Sequence, residues 1–517
     1  MVKIALISFM LHGINIRTLA AYLKRNGYEA YCFFCAGPFT DANSKELIRI
    51  LKEKNIGLVG LSVITDHYAS ACLLTDLIKK NTALPVIWGG AHVDVMPEES
   101  LRHADMVCRG EGEEALLELA GEIDRGRRTS SLKNIWFNSE NGVVRNDIRN
   151  LEENLDRYPI PDFGLETQYV MNETGFDVMR DLLAAETNYD VITSRGCPHR
   201  CGYCYNNYRY KQYQGKGRYL RFRSIEHFIE ELSQAKKINA NLKNIHFWDD
   251  NFLSRSVDEL MAFKKLYSER INLPFFILAE PMFFHKEKLK ILRECGLYFM
   301  QIGIQTGSER ISREIYQRDI PQKALVDIAH FTHQLGIRVI YDIIFNNPYE
   351  APSDIAETIK LFLRFPAPFL IQGFNLIFYP GTDITERALR DGFISERPPD
   401  TDFSTIESRL NSPLLTQKKS VISSRFYTIN YDPRGKAYWN SLFQIVGLPD
   451  IPRSVILFFL KSGIFLNKLL LGLFIKIYLS SPSQKSRVSW LLVFPKRCIG
   501  KLLRILKRHE NETAAKN

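Results

Sequence analysis

Tyr189-Asp-Val-Ile-Thr-Ser-Arg-Gly-Cys197-Pro-His-Arg-Cys201-Gly-Tyr-Cys204 decides how the rest of the chain is read. Tyr189 to Thr193 is an apolar run of strand length, and the chain then enters a loop with three cysteines in eight residues. Thiolates held this close on a loop are what an iron–sulfur cluster needs. Three protein ligands leave one iron of a four-iron cubane open to a further chelating ligand. Zinc competes for the same spacing, since C-x2-C pairs are common in zinc sites. His199 lies inside the triplet, but no second C-x2-C pair follows it.

Downstream of this loop, strand-like runs recur at Asn244–Trp248, Pro274–Ala279, Phe299–Gln305, Arg338–Phe345 and Leu370–Tyr379. Amphipathic helices separate them, among them Ile225–Ile238, Val257–Tyr267, Lys286–Glu294, Lys323–Leu335 and Ser353–Arg364. With Tyr189–Thr193 these make six βα units, so residues 186–392 read as a partial (β/α)6 barrel with its site at the carboxyl ends of the strands. Upstream, Lys3–Phe9, Glu29–Phe34, Gly57–Val63, Pro85–Gly90 and a run from Met106 alternate with helical segments. Residues 1–125 therefore read as a doubly wound, Rossmann-like (flavodoxin-like) α/β domain. Residues 126–185 have weak periodicity, and Pro159 and Pro161 suit an extended linker. Residues 393–450 read as an extension, and a basic amphipathic, helical tail covers 451–517.

C-x3-C-x2-C with Tyr203 before the last cysteine, after the first strand of a partial barrel, resembles the radical S-adenosylmethionine superfamily. That likeness implies a 4Fe–4S cluster on Cys197, Cys201 and Cys204, with S-adenosylmethionine on the open iron. Trp248-Asp-Asp-Asn-Phe252 stands where the family receives the methionyl amino group, which implies cofactor contacts from Asp249, Asp250 and Asn251. Gly303-Ile-Gln-Thr-Gly-Ser-Glu309 resembles a family Gly-Ile-Glu-Ser-Gly-Ser element and implies contacts from Gln305 and Ser308. Tyr203 joins that set, and Tyr379-Pro-Gly-Thr382 is similar to the closing motif of the sixth strand.

The first domain resembles the cobalamin-binding domain of the branch that holds anaerobic cyclases, C-methylases and P-methylases. The matching loops are Gly60–Thr65, Gly89-Gly-Ala-His-Val93 with Pro97, and Gly110-Glu-Gly-Glu113. They imply corrin contacts from Ser62, Thr65 and His67, and from Gly89, Gly90, Gly110 and Glu111. The Asp-x-His-x-x-Gly signature that supplies a cobalt ligand elsewhere is absent. A corrin-free docking domain is the competing reading. His12, His67 and His92 fall on loops facing the proposed site, ordinary loop histidines being the plain alternative.

Arg221-Phe-Arg223-Ser224 is open to two readings: pairing with a substrate carboxylate or phosphate, or domain packing with Ser224 as a helix cap. Tyr205, Tyr208, Tyr210 and Tyr213 read as structural rather than as radical relays.

The net charge of +10 looks like a nucleic-acid signal until it is located. From Ile451 to Asn517 there are 13 Lys/Arg against Glu510 and Glu512, a balance of +11, which leaves −1 for residues 1–450. The body of the protein has no bulk attraction for phosphate backbones, and no nucleic-acid partner is expected. Val455–Leu479 has only Lys461, Asn467, Lys468 and Lys476 as strongly polar members, and the three lysines cluster within roughly 80° of a helix circumference. That stripe suits a helix lying in a membrane interface better than a span. A docking or core helix pair is the alternative. Nine cysteines without a disulfide-scaffold spacing, and MVKIALISF at the start, lead to the expectation of a cytoplasmic protein, peripheral on the inner membrane face.

The expected function is a cobalamin-dependent radical methyltransferase acting on an unactivated carbon of a small or lipid-like substrate, fed by an external low-potential electron donor. A cyclase, oxidase or rearrangement enzyme, and a non-catalytic cobalamin or S-adenosylmethionine sensor, remain open.

Overall fold

The computed structural model describes residues 1–11, 13–127, 131–179, 186–396 and 427–429. They fall into two compact units, one of residues 1–300 with the described residues from 377 onward, the other of residues 301–376.

The first unit opens with strands β1 (Lys3–Ser8), β2 (Ala30–Phe34), β3 (Ile56–Ser62), β4 (Val86–Gly89) and β5 (Met106–Cys108). Between and after them run α1 (Ile14–Arg25), α2 (Asp41–Glu53), α3 (Tyr68–Asn81), the short α4 (Ala91–Val95) and α5 (Pro97–Ser100), and α6 (Glu113–Asp124). The five strands pair in parallel in the order β5-β4-β3-β1-β2. Helices cover both faces, so these strands are apolar on both: Ala5, Ile7, Val59, Leu61 and Trp88 pack on one side, Ile4, Leu6, Leu58 and Ile87 on the other. The order reverses between β1 and β3, which opens a crevice at their carboxyl ends.

The stretch 126–185 differs from the linker expected. It adds β6 (Ile135–Ser139), β7 (Gly142–Arg145), β8 (Gln168–Met171) and β9 (Phe176–Val178) to the same sheet, making it nine-stranded. β8 pairs in parallel with β2, while β6, β7 and β9 pair antiparallel with β5, β6 and β8, and β7 and β9 form the edges. Runs of three to five residues are too short for a period of two to stand out.

Still in the first unit, β10 (Asn188–Val191), the hairpin strands β11 (Ser194–Arg195) and β12 (Arg221–Phe222), β13 (Asn244–Phe247) and β14 (Phe275–Ala279) follow. β11 and β12 pair antiparallel and bracket the cysteine loop with α7 (Tyr205–Gln212). β10, β13 and β14 are parallel, with Asp190, His246 and Phe276 in one row and Val191, Phe247 and Ile277 in the next. The second row is fully buried beneath α8 (Ile225–Ile238) and α9 (Val257–Arg270), where Phe228 and Phe263 pack on Phe247. α10 (Lys286–Glu294) completes that layer. The first row faces the other way.

β15 (Leu297–Gln305) runs from the first unit into the second, which continues with β16 (Arg338–Phe345), β17 (Leu370–Asn375), α11 (Gln322–Gln334) and α12 (Pro352–Phe362). β16 and β17 are parallel. No helix among the described residues is long and apolar enough to cross a membrane. The tail segment at 451–517 lies outside the described residues.

Candidate functional site

The cysteine loop is fixed by its backbone. Gly196 has φ +90, and a Cβ there would sit 2.4 Å from the Tyr219 carbonyl oxygen, so only glycine leads into Cys197. Arg200 donates to the carbonyls of Cys197 (3.1 Å) and His199 (2.9 Å) and lies over the Tyr210 ring. The Cys204 N–H donates to the Cys201 carbonyl at 3.0 Å, and Cys204 is the N-cap of α7.

None of the three thiols is in a disulfide; Cys201 is buried and the other two half-buried. Burial pushes the Cys204 thiol up to about 12, against a pull from the Asn206 backbone, and pushes Cys197 up as well. As thiolates they need a compensating cation, which cluster iron supplies. Among the described residues no three His, Cys, Asp or Glu gather closely enough to hold one metal ion.

Asp250 and Glu280 face the same thiols, and their charges reinforce the rise at both Cys197 and Cys204. Glu280 Oε2 lies 3.8 Å from His199 Nε2. Asp250 stays exposed and takes a hydrogen bond from Asn206. Asp249 is different: it is buried, and its carboxylate accepts from Thr193 N at 2.9 Å, from Thr193 Oγ1 and from Ser194 Oγ. Burial raises its carboxyl, with Arg255, Ser194 and Thr193 pulling back. Asp249 ties the first strand's end to the second. Asn251 is buried too; its amide donates to Ser254 Oγ (2.9 Å) and its carbonyl accepts from Glu280 N (3.1 Å). Tyr203 is half-buried beside Cys204.

Gln305 and Ser308 belong to the second unit. Gln305 ends β15 with φ +69. Ser308 is buried and donates to Asp354 Oδ1 at 2.6 Å, so its hydroxyl has a protein partner.

Below Asp250 and Glu280, the open face of β13 and β14 is aromatic. Trp248 is 41% exposed and packs on Phe276 at 5.4 Å between ring centres. Phe276 also meets Phe299 and His246, and His246 Nδ1 lies 3.3 Å from Asp190.

The crevice at the carboxyl ends of β1, β3, β4 and β5 is a cavity of about 450 Å³. Its deep part is an apolar slot between the sheet (Leu6, Gly60, Ile87, Cys108) and helices α1 and α6 (Ile16, Leu19, Leu116). Its mouth holds Ser62, Gly89, Gly90, Gly110 and Glu111, with Ser194, Arg195, Tyr205 and Arg209 from the cysteine-loop side. An apolar slot with a few convergent polar groups fits a large flat ligand carrying amide edges. Gly90 (φ +104) would bring a Cβ to 2.7 Å from the Val63 carbonyl oxygen, so the tight turn at this mouth requires glycine.

Glu111 lines that mouth, yet its carboxylate joins domains. Arg221 reaches it at 2.5 Å and Arg195 at 3.2 Å. Burial pushes its carboxyl up, but the Arg195 and Arg221 guanidiniums outweigh this and hold it at about 2. Arg195 also pairs with Glu113 at 2.5 Å. Arg221 is thus a packing residue, Arg223 pairs with Glu231, and Ser224 caps α8 by accepting from His227 N.

The histidines divide. His92 is fully buried against Tyr68, with Glu99 3.7 Å from its Nε2, so it does not face the crevice. His67 packs on Phe9, and burial lowers its pKa; neither it nor Thr65 lines the cavity. Thr65 Oγ1 lies 3.4 Å from His92 Nδ1. His12 lies outside the described residues.

Sequence reasoning missed Asp94, Arg195 and Glu280. Asp94 is 3% exposed and accepts from Gly110 N at 2.6 Å and from the Tyr205 hydroxyl. Its backbone carbonyl accepts from the Tyr208 hydroxyl at 2.8 Å. Tyr213 likewise takes the Glu111 N–H at 2.9 Å, so three loop tyrosines bind the first domain.

Comparison with known proteins agrees with this layout. Residues 2–120 match the B12 binding domain, and residues 191–362 match the Radical SAM superfamily. The uncharacterized methyltransferase PH0819 of Pyrococcus horikoshii is 28% identical over 364 residues, covering 68% of this chain and 74% of its own. Cytidylyl-2-hydroxyethylphosphonate methyltransferase of Streptomyces wedmorensis is 21% identical, over 63% of this chain and 67% of its own. The radical S-adenosylmethionine methyltransferase TsrM of Kitasatospora setae, solved with cobalamin and a 4Fe–4S cluster, has the same fold. Its TM-score is 0.64 at 16% identity, over 78% of this chain and 82% of its own.

The chain belongs to the cobalamin-binding radical S-adenosylmethionine enzymes. Its cofactors are a 4Fe–4S cluster, S-adenosylmethionine and cobalamin, and the thiol loop and the crevice are suited to hold them.

Proposed function

We propose that this enzyme is a cobalamin-dependent methyltransferase acting on an unactivated carbon of an apolar, lipid-like small molecule. One observation carries the reading: the crevice mouth is shared between the glycine loops of the first domain and residues adjoining the cluster cysteines, Ser194, Arg195 and Tyr205. When bound, the cluster supplies the electron that cleaves S-adenosylmethionine, and the corrin carries the methyl group. The chain's own residues do the positioning. Cys197, Cys201 and Cys204 hold the cluster, Asp250 and Glu280 offer carboxylates for a cationic amino group beside it, and Glu111 locks the domains together. Methyltransferase names on two of the curated relatives support methyl transfer, while a third, 29% identical over 196 residues, is named as a cyclase. The exposed Trp248 beside Phe276 supports an apolar substrate, since exposed aromatic surface next to a reaction centre is available for binding.

An external low-potential donor reduces the cluster, and no nucleic acid takes part. The basic stripe of residues 451–517 supports a peripheral position on the inner, cytoplasmic face of the membrane.

The test combines reconstituted enzyme, cobalamin, reductant, S-adenosylmethionine deuterated on its methyl group, and membrane lipid extract. A lipid gaining three deuteriums, with 5′-deoxyadenosine and S-adenosylhomocysteine both formed, is the expected result. 5′-Deoxyadenosine with an unlabelled product would instead mean a cyclase or oxidase. Labelling confined to a water-soluble compound would remove the lipid assignment.

A further inference from the structure

We propose that Asp94 is a positioning residue that couples the corrin-binding loops to the cluster loop. The inference rests on cobalamin occupying the crevice and not on the substrate or on methyl transfer. Asp94 lies in the short helix α4, which directly follows the Gly89-Gly90 turn. A buried carboxylate is unfavourable unless satisfied, and this one is satisfied by two separate elements while its backbone is tied to a third. Its own N–H donates to the Gly90 carbonyl at 3.2 Å, which ties it to the β4 turn. One carboxylate oxygen takes the Gly110 N–H at 2.6 Å, which ties it to the loop after β5. The other takes the Tyr205 hydroxyl and lies 3.7 Å from Arg209 Nε. Tyr208 adds its hydroxyl to the Asp94 carbonyl.

Tyr205 is the residue after Cys204, and Cys204 caps the helix that carries Tyr205, Tyr208 and Arg209. Gly90, Asp94, Gly110, Tyr205 and Arg209 all line the crevice. A ligand that moves either glycine loop therefore moves Asp94, and Asp94 moves the first turn of the helix that begins at a cluster ligand. The carboxylates beside it act elsewhere: Glu111 and Glu113 bind Arg195 and Arg221 on the β11–β12 hairpin. Charge-assisted hydrogen bonds in a buried network hold such a junction in one geometry.

The test uses the full-length chain, reconstituted anaerobically with iron, sulfide and cob(II)alamin. Electron paramagnetic resonance reads the magnetic interaction between cob(II)alamin and the reduced cluster. In the wild type, reducing the cluster broadens the cob(II)alamin signal. In Asp94→Ala the broadening is lost while iron and cobalt contents stay at wild-type levels. Asp94→Asn, whose amide oxygen still accepts from Gly110 and whose amide N–H can donate to the Tyr205 oxygen, restores part of it. Unchanged broadening in Asp94→Ala overturns the proposal. Loss of cobalt in that variant also overturns it, since Asp94 would then only build the corrin site. Should Asp94→Ala not fold, Tyr205→Phe carries the test from the other side, with weakened broadening expected and wild-type broadening contradicting the idea. A wild type that shows the interaction yet transfers no methyl group would remove the proposed function and leave this inference standing.

Discussion

The cysteine loop, whose flanking residues line the crevice, and the glycine loops at its mouth are built from different material. The first presents three side chains whose close spacing narrows their chemistry to metal binding, Cys197, Cys201 and Cys204. The second presents backbone. Gly90 and Gly110 have φ values of +104 and +78, and the charged residues among them, Glu111 and Glu113, line the cavity with their carboxylates paired to Arg195 and Arg221. A site made of side chains can be read from one sequence. A site made of backbone can be found from its glycines, but the roles of the intervening side chains emerge only from packing.

The largest effect separates the two regions outright. Cys201→Ala removes one cluster ligand, so 5′-deoxyadenosine formation falls to background in a chromatographic assay. Partial activity there would mean that the cysteines do not carry the chemistry.

Glu111→Gln sharpens the docking role. It leaves Arg221 without its carboxylate and Arg195 with Glu113 alone, and breaking a buried pair costs about 3–5 kcal/mol. Chemical denaturation should show that loss, whereas a residue that only contacts a ligand would leave the free protein's stability unchanged. The pH dependence has a definite sign. The folded carboxyl sits at about 2, below its unfolded range, so its contribution is complete above about pH 4.5 and is lost as pH falls toward 2. The wild type therefore loses stability on the order of 3 kcal/mol across that window. The Gln variant lacks this component of the acid transition.

Gly90→Ala addresses the backbone itself. Its Cβ would meet the Val63 carbonyl at 2.7 Å in a left-handed conformation, for a cost of about 1–3 kcal/mol. Calorimetry should show a lower melting temperature, and cobalamin titration a weaker complex. His67→Ala should do least, changing cobalamin affinity by less than about tenfold, because the ring packs on Phe9 and does not line the cavity. A larger loss would place His67 in the corrin site after all.

Much of the fold was legible because long parallel strands declare themselves. Arg338–Phe345 has the bounds expected from its apolar run, and the other strands of both series shift by one to four residues. Where the sequence misleads, the cause is length or context. The strands between 135 and 178 are three to five residues long and hide inside a stretch that reads as linker. Asp249 looks like a cofactor ligand by position, but burial and the hydroxyls of Thr193 and Ser194 give its carboxylate another task. Asp94 carries no motif at all; its partners, Gly110 and Tyr205, lie 16 and 111 residues away. The cluster ligands needed no such context.

The most direct test of two sites made from different material on one chain counts metals after anaerobic reconstitution with iron, sulfide and cobalamin. The wild type should hold one 4Fe–4S cluster and one cobalt per chain, and Cys201→Ala should keep its cobalt while losing the cluster. A wild-type chain that takes up the cluster and no cobalt would contradict the account.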